Sequence, residues 1–99
     1  MDQLALVIRS FACKETEKVW NETRSRKLPS QIQQKALEKL ALLNAATRLQ
    51  ELLIPPGNRL EALKGNRAGQ HSIRVNQQWR ICFKWQGADA FNVEIVDYH

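Results

Sequence analysis

The residues of this chain best suited to chemistry are Asp97, Tyr98 and His99, which directly follow a predicted β-strand. A carboxylate, a phenol and an imidazole can each donate, accept or orient a proton. The strand over residues 90–96 carries apolar residues at 91, 93 and 95, so we expect a sheet to hold the three side chains at one place on its rim. With 15 Lys and Arg against 10 Asp and Glu, the chain would attract a polyanion. The combination predicts chemistry on a phosphodiester.

The composition is that of one small globular domain. Apolar residues make up 43% of the 99 positions and charged residues 25%, which argues against disorder. The apolar run at residues 4–8 suits a short buried strand and is far shorter than a membrane span or a signal-peptide core. Cys13 and Cys82 stand alone, which predicts free thiols and neither a disulfide framework nor a zinc site. We expect a single cytoplasmic domain over residues 1–99 that does not contact a membrane.

The first half of the chain has helical patterns. A surface helix is expected from about residue 13 to residue 23, and Ser30 with Gln33 forms a capping-box signature for the start of a second helix. A shorter helix should follow at residues 47–54. The second helix has one apolar stripe for packing, composed of Ile32, Ala36, Leu40 and Leu43.

The second half has the two-residue period of strands. Residues 72–75, 79–85 and 90–96 are separated by tight turns, which predicts an antiparallel meander. Helices followed by a meander indicate an α+β domain in which two to three helices pack on one face of a mainly antiparallel sheet.

Alternation along the central strand separates apolar from basic side chains. Its aromatic and aliphatic residues share one face, which we expect to cover the helices: Trp79, Ile81, Phe83 and Trp85. The other face should then be open and basic, carrying Arg74, Arg80 and Lys84, and the preceding connection adds Arg59, Lys64 and Arg67. A groove of this kind could bind single-stranded RNA, whose phosphates supply affinity and whose splayed bases can be stacked or hydrogen-bonded.

Four ordered motifs carry a family resemblance. They are LEALKGNR at residues 60–67, SIRVN at residues 72–76, WRI at residues 79–81 and EIVDYH at residues 94–99. Together they resemble the HigB toxins, a branch of the RelE superfamily, over about residues 8–99. The resemblance implies a small RelE-like microbial ribonuclease fold, with residues 1–6 as an N-terminal extension.

The resemblance also implies an activity and its partners. HigB-like proteins are toxins of type II toxin-antitoxin systems that enter the ribosomal 30S A site and cut mRNA there without a metal or other cofactor, which inhibits translation. A HigA-type antitoxin with a DNA-binding helix-turn-helix neutralises the toxin. Operator DNA is then bound only through the antitoxin.

Site roles follow from the resemblance by position. His99 would donate or accept the proton, and Arg80 and Lys64 would hold the scissile phosphate. Tyr98 would orient or stack on a base, and Asp97 would fix the geometry of the group. The expected RNA-binding set around them comprises Arg59, Arg67, His71, Arg74 and Lys84.

Glu61 departs from the family pattern, because some relatives have a catalytic histidine at that position. Its carboxylate could act as the base, position Lys64 or take no part. His71 is the other candidate near the motif, although a single imidazole at the start of a strand is more often structural.

Less specific interpretations remain open at this stage. Asp97, Tyr98 and His99 could be a polar tail, and the basic residues of the sheet could simply be its solvated face. A non-catalytic RelE-fold protein that binds nucleic acid or an antitoxin would have the same sequence pattern. A helix-turn-helix repressor is a poorer fit, because residues 47–54 offer little to recognise phosphate and base edges. No set of carboxylates suggests a metal-dependent nuclease, so no metal ligand is assigned.

Overall fold

The computed structural model describes residues 7–98, so residues 1–6 and the catalytic candidate His99 lie outside the described part of the chain. The helices and strands are α1 (Lys14–Trp20), α2 (Ser30–Ala45), β1 (Glu61–Ala62), β2 (His71–Arg74), β3 (Trp79–Gln86) and β4 (Asp89–Asp97). Short 3₁₀ turns occur at Leu49–Leu53, Pro56–Asn58 and Gly65–Arg67. Of the helices within residues 7–98, none is both long and apolar enough to cross a membrane.

The four strands form one antiparallel sheet in the order β1-β2-β3-β4. The predicted meander of β2, β3 and β4 is confirmed, and the two-residue β1 adds a strand that the sequence did not predict. Residues 7–12 run parallel to the outer edge of β4, with bridges from Ile8 to Ala90 and from Phe11 to Val93. The two helices pack against this sheet, which confirms the predicted α+β class.

The core lies between α2 and one face of the sheet. All four residues of the predicted apolar stripe on α2 are buried, and they belong to the same cluster as Ile73, Ile81, Phe83 and Val93. The predicted capping box is wrong, because α2 already includes Ser30 and its preceding residue Pro29 makes no side-chain cap. Instead, the Gln33 amide donates to the carbonyl groups of Ser25 (2.9 Å) and Leu28 (2.8 Å), which fixes the loop before the helix.

A β-bulge on β4 changes which side chains share a face. Cys82 pairs with Glu94 and Lys84 pairs with Phe91, so β4 has one more residue than β3 between these pairs. Asn92 absorbs the extra residue with a left-handed φ of 55°. Directly paired residues lie on the same face, so Phe91 joins Lys84 on the outer face. The expectation that residues 91, 93 and 95 share a face is therefore wrong at 91, and the buried apolar residues of β4 are Ala90, Val93 and Ile95.

Asn44 fastens residues 7–12 to α2. Its Oδ1 accepts hydrogen bonds from the backbone N–H groups of Val7 and Ile8, each at 3.0 Å, and both of these residues are buried. We expect Asn44→Ala to lower the free energy of unfolding by about 1–3 kcal/mol, because two buried donors lose their acceptor.

Urea unfolding of the purified protein measures this effect. Asn44→Asp is the matched control, since it keeps an acceptor oxygen in the same place and should retain most of the stability. Equal losses for the two variants would mean that the acceptor is not what stabilises this junction.

Candidate functional site

The centre of the candidate site is the guanidinium group of Arg80, which is almost completely buried. The residue is 8% exposed on the face of the sheet opposite the helices. Its Nε donates to the hydroxyl of Ser72 (2.7 Å), and its Nη2 donates to the carbonyl of Arg59 (2.6 Å) and, at 3.4 Å, to that of Ser72. A buried charge requires such partners, because desolvation without hydrogen bonds is costly. They fix the position and orientation of this cation.

Tyr98 lies beside this guanidinium at the end of β4. The Cζ atom of Arg80 is 5.9 Å from the centroid of the Tyr98 ring, within the range of a cation–π interaction. The backbone N–H of Tyr98 donates to the carbonyl of Gln78, and the Gln78 amide donates to both carboxylate oxygens of Asp97 at 3.1 and 3.2 Å. The turn between β2 and β3 therefore holds the end of β4, immediately before His99.

Glu61 reaches the same centre from β1. Its Cα is paired with that of Ser72, so Glu61, Ser72 and Arg80 lie on one face of adjacent strands. The Glu61 Oε1 is 3.8 Å from the Arg80 Nη2, and the Glu61 side chain is about half exposed. A solvent-accessible carboxylate next to a fixed cation can exchange protons and also offset the charge of that cation.

The middle of the basic face is covered, which corrects the prediction that this face is open. Arg80 is 8% exposed and Cys82 is completely buried. The reason is the connection over residues 59–70, which crosses this face. Its Arg59 carbonyl contacts Arg80, and its Arg67 bonds to Glu94 at 3.3 Å. Alternation correctly assigned the face, but it did not reveal the segment that covers it.

Cys82 does not supply a nucleophile in this arrangement. Burial raises the pKa of its thiol, and the opposing influence of the nearby Arg67 charge is smaller. A raised thiol pKa leaves the group protonated at neutral pH, and the thiolate is the reactive form. The expected free, buried thiol is confirmed for Cys82, whereas Cys13 is half-buried.

The other predicted RNA-binding residues are distributed unevenly around Arg80. Arg67 lies over the outer face, Lys84 is on that face, and Arg74 is paired with Arg80 across β2 and β3. Lys64 is exposed in the loop between β1 and β2.

His71 is the exception, because the structure does not bring it to Arg80. His71 is paired with Phe83 and stacks on that core ring, with centroids 6.3 Å apart and an angle of 25° between the planes. Its Nδ1 atom is buried without a hydrogen-bond partner. His71 thus belongs to the helix-facing side of the sheet.

Ser72 and Gln78 are functional candidates that sequence reasoning missed. Ser72 acts through its hydroxyl and carbonyl groups, and Gln78 acts through its side-chain amide and its backbone carbonyl. Neither residue type is distinctive in a strand or a turn. The available signal was the alternation of β2, which places Ser72 on the same face as Arg74. Within residues 7–98, no group of three or more His, Cys, Asp or Glu side chains is arranged to hold a metal ion.

Ser72 is expected to be needed for the position of Arg80. We expect Ser72→Ala to lower the free energy of unfolding by about 1–3 kcal/mol, because the buried Nε of Arg80 loses its acceptor. Ser30→Ala, at an exposed position on α2, is the control and should change stability by less than about 0.5 kcal/mol. Denaturant unfolding measures both variants, and similar losses would show that the Ser72 hydroxyl is not a specific anchor.

Comparisons with known proteins agree on one family. Toxin HigB-1 of Vibrio cholerae serotype O1 is 46% identical over 72 residues, which cover 73% of this chain and 76% of that protein. Endoribonuclease HigB of Proteus vulgaris is 32% identical over 97 residues, which cover 94% of this chain and 100% of that protein.

A solved structure gives the same fold. A chain of the YoeB-YefM complex from Staphylococcus aureus superposes with a TM-score of 0.60, covering 97% of this chain and 99% of that chain. The identity is 19%, so this likeness concerns the fold alone.

The family model for the RelE-like toxin HigB of type II toxin-antitoxin systems matches residues 9–99. This match covers nearly the whole chain, including the motifs from which the resemblance was recognised. The chain therefore belongs to the family of HigB-like toxins of type II toxin-antitoxin systems.

Proposed function

We propose that this toxin is an endoribonuclease that cuts mRNA in the ribosomal 30S A site and so inhibits translation. The observation that carries the proposal is the anchored guanidinium of Arg80, with Tyr98 and Glu61 beside it on the outer face of the sheet. The similarity to the Endoribonuclease HigB of Proteus vulgaris over nearly the full length of both chains supports the same activity.

The proposed reaction transfers the scissile phosphate to the neighbouring 2′-hydroxyl. A base removes the 2′ proton, the 2′-oxygen bonds to phosphorus, and the bond from phosphorus to the 5′-oxygen breaks. An acid protonates the departing 5′-oxygen. Negative charge grows on the phosphorane oxygens, and a cation fixed in advance stabilises that charge without reorganising during the reaction. Arg80 suits this role, because its hydrogen bonds already fix its orientation.

The remaining roles are assigned around this cation. His99 donates or accepts the transferred proton. It directly follows Tyr98 in the sequence, and the backbone N–H of Tyr98 donates to the carbonyl of Gln78. Tyr98 orients or stacks on a base, and Asp97 fixes the geometry through the Gln78 amide. Lys64 adds a second cation for the phosphate from the loop after β1.

Glu61 is proposed as a member of the site and not as a bystander. The approach of its carboxylate to the Arg80 guanidinium supports a role in accepting the 2′-hydroxyl proton. The same contact also suits a residue that holds the Arg80 guanidinium in its orientation. The proposed role of Glu61 is therefore either general base or positioning residue.

The RNA backbone is proposed to follow the outer face of the sheet. Arg59, Arg67, Arg74 and Lys84 belong to this surface or to the connection that crosses it. His71 does not belong to this surface, because it stacks on Phe83 on the opposite side of the sheet.

Replacement of His99 tests the catalytic assignment. We expect His99→Ala to slow cleavage of ribosome-bound mRNA by a factor of about 10² or more, because the reaction loses its general acid or base. The assay uses the purified chain, ribosomes programmed with a defined mRNA, and primer extension to map the cut positions.

Two controls accompany this measurement. Lys14→Ala changes an exposed charge on α1 and should cut at the parent rate. The same mRNA without ribosomes should remain intact if the activity depends on the A site. Undiminished cutting by His99→Ala would overturn the assignment, and equal cutting without ribosomes would overturn ribosome dependence.

A HigA-type helix-turn-helix antitoxin is the proposed protein partner. Family membership implies a cognate antitoxin, and the chain of similar fold in the YoeB-YefM complex supports direct binding. We expect coexpression of such an antitoxin to abolish growth arrest caused by the toxin. In gel-shift measurements, operator DNA should be retarded by the complex and not by the toxin alone; retardation by the toxin alone would contradict the assignment.

A further inference from the structure

A second basic site lies at the edge of the sheet, outside the group around Arg80. A cleft of about 350 Å³ opens between α2, the 3₁₀ turn at Pro56–Asn58 and the turn that follows β2. Three cationic residues line it, namely Lys35, Lys39 and Arg74, and its lining includes no Asp or Glu. A cleft with this composition concentrates positive potential, because charges of one sign reinforce each other there.

Lys39 is the most unusual of these residues, because it is only 9% exposed. Its Nζ donates to the Oδ1 of Asn58 at 2.6 Å, and the Asn58 amide donates to the carbonyl groups of Leu52 (3.1 Å) and Ile54 (3.3 Å). Asn58 is itself fully buried. The ammonium group is therefore held at a defined position by a chain of hydrogen bonds through the loop after α2.

The positive charge of Lys39 is poorly compensated. Among residues 7–98, no carboxylate lies within ion-pair distance of its Nζ. Burial lowers the pKa of Lys39, the charge of Lys35, one helical turn away, lowers it further, and the opposing influence of the Glu38 carboxylate is the smallest of the three. Two lysines four residues apart on a helix repel each other. An anion in the cleft would offset this repulsion and complete the hydrogen bonding of the ammonium group, which has three donors.

The position of the cleft identifies the class of anion. Arg74 lines the cleft and is also the cross-strand partner of Arg80, so the cleft lies next to the proposed catalytic face. Paired Cα atoms of neighbouring strands lie only about 4.5–5.5 Å apart. An RNA strand with its scissile phosphate at Arg80 could therefore place another phosphate of the same backbone here.

We propose that the cleft lined by Lys35, Lys39 and Arg74 binds a backbone phosphate of the RNA substrate, beside the phosphate that is cut. This proposal rests on the proposed ribonuclease function. It assigns to α2 and to the loop after it a part in substrate binding that the motifs around Arg80 do not include.

Gly57 provides a test that leaves the cationic side chains unchanged. It lines the cleft, and a Cβ atom at this position would meet no other atom within 4 Å. Gly57→Asp therefore adds a carboxylate to the wall of the cleft with little steric change. Gly57→Asn is the matched control, because it has nearly the same shape and no charge.

The measurement is the affinity of the full chain for a single-stranded 2′-O-methyl RNA oligonucleotide across a range of salt concentrations. This RNA lacks the 2′-hydroxyl and cannot be cut, so binding is measured separately from cleavage. We expect Gly57→Asp to bind roughly threefold or more weakly than Gly57→Asn, with the slope of log K against log salt reduced by about 0.7, the value for one phosphate contact on a single strand. Equal affinities and slopes for the two variants would overturn the proposal.

Two further experiments distinguish binding of RNA from binding of other ligands in the cleft. If inorganic phosphate, at matched ionic strength, perturbs the NMR signals of the Lys35 and Lys39 side chains and the RNA does not, the cleft binds a free anion and the proposal fails. If Gly57→Asp binds RNA like Gly57→Asn but binds the antitoxin more weakly, the cleft belongs to the protein partner and the proposal fails. Cleavage of ribosome-bound mRNA by the parent chain tests the underlying function independently, because it does not involve Gly57 variants.

Discussion

The structure depends on keeping one positive charge out of water on the face of a thin sheet. A guanidinium in such a place is stable only when its N–H groups have acceptors, and these come from separate parts of the chain. β2 supplies the Ser72 hydroxyl, the loop before β1 supplies the Arg59 carbonyl, and β4 brings the Tyr98 ring. Because these elements meet at Arg80, the contacts that set the geometry of the site also hold the sheet together. A mutation that loosens any of these contacts affects both.

Two ion pairs offset part of the positive charge on the outer face. Arg67 is joined to Glu94 over the buried Cys82, and Arg80 is approached by the half-exposed Glu61. Such pairing lets a small protein carry a net charge of +5 without leaving every cation uncompensated. The cations at the centre of this face make internal contacts, whereas Lys39 near the edge of the sheet has no carboxylate at ion-pair distance among residues 7–98.

Periodicity in the sequence predicts most of the fold. The parts that it does not predict have no repeating local pattern. The apolar stripe on α2 and the alternation on β3 are local patterns, so the predictions of the meander and of the helices that cover it are confirmed. β1 has only two residues, too few to show a period. The pairing of residues 7–12 with β4 joins segments 82 positions apart, which no local pattern records. The cover over Arg80 comes from contacts of the connection over residues 59–70. The bulge on β4 depends on the left-handed backbone conformation of one residue, Asn92, and it places Phe91 on the other face of the sheet. Motif resemblance pointed to Arg80, whereas its anchor Ser72 became apparent only in three dimensions.

The parallel pairing of residues 7–12 with β4 affects how the chain folds. Ile8 and Ala90 are neighbours in space and 82 positions apart in the chain, so this edge of the sheet closes only by joining two distant segments. Closing such a long loop delays the contact and slows folding. We therefore expect the edge that residues 7–12 form with β4 to be among the last parts of the sheet to assemble.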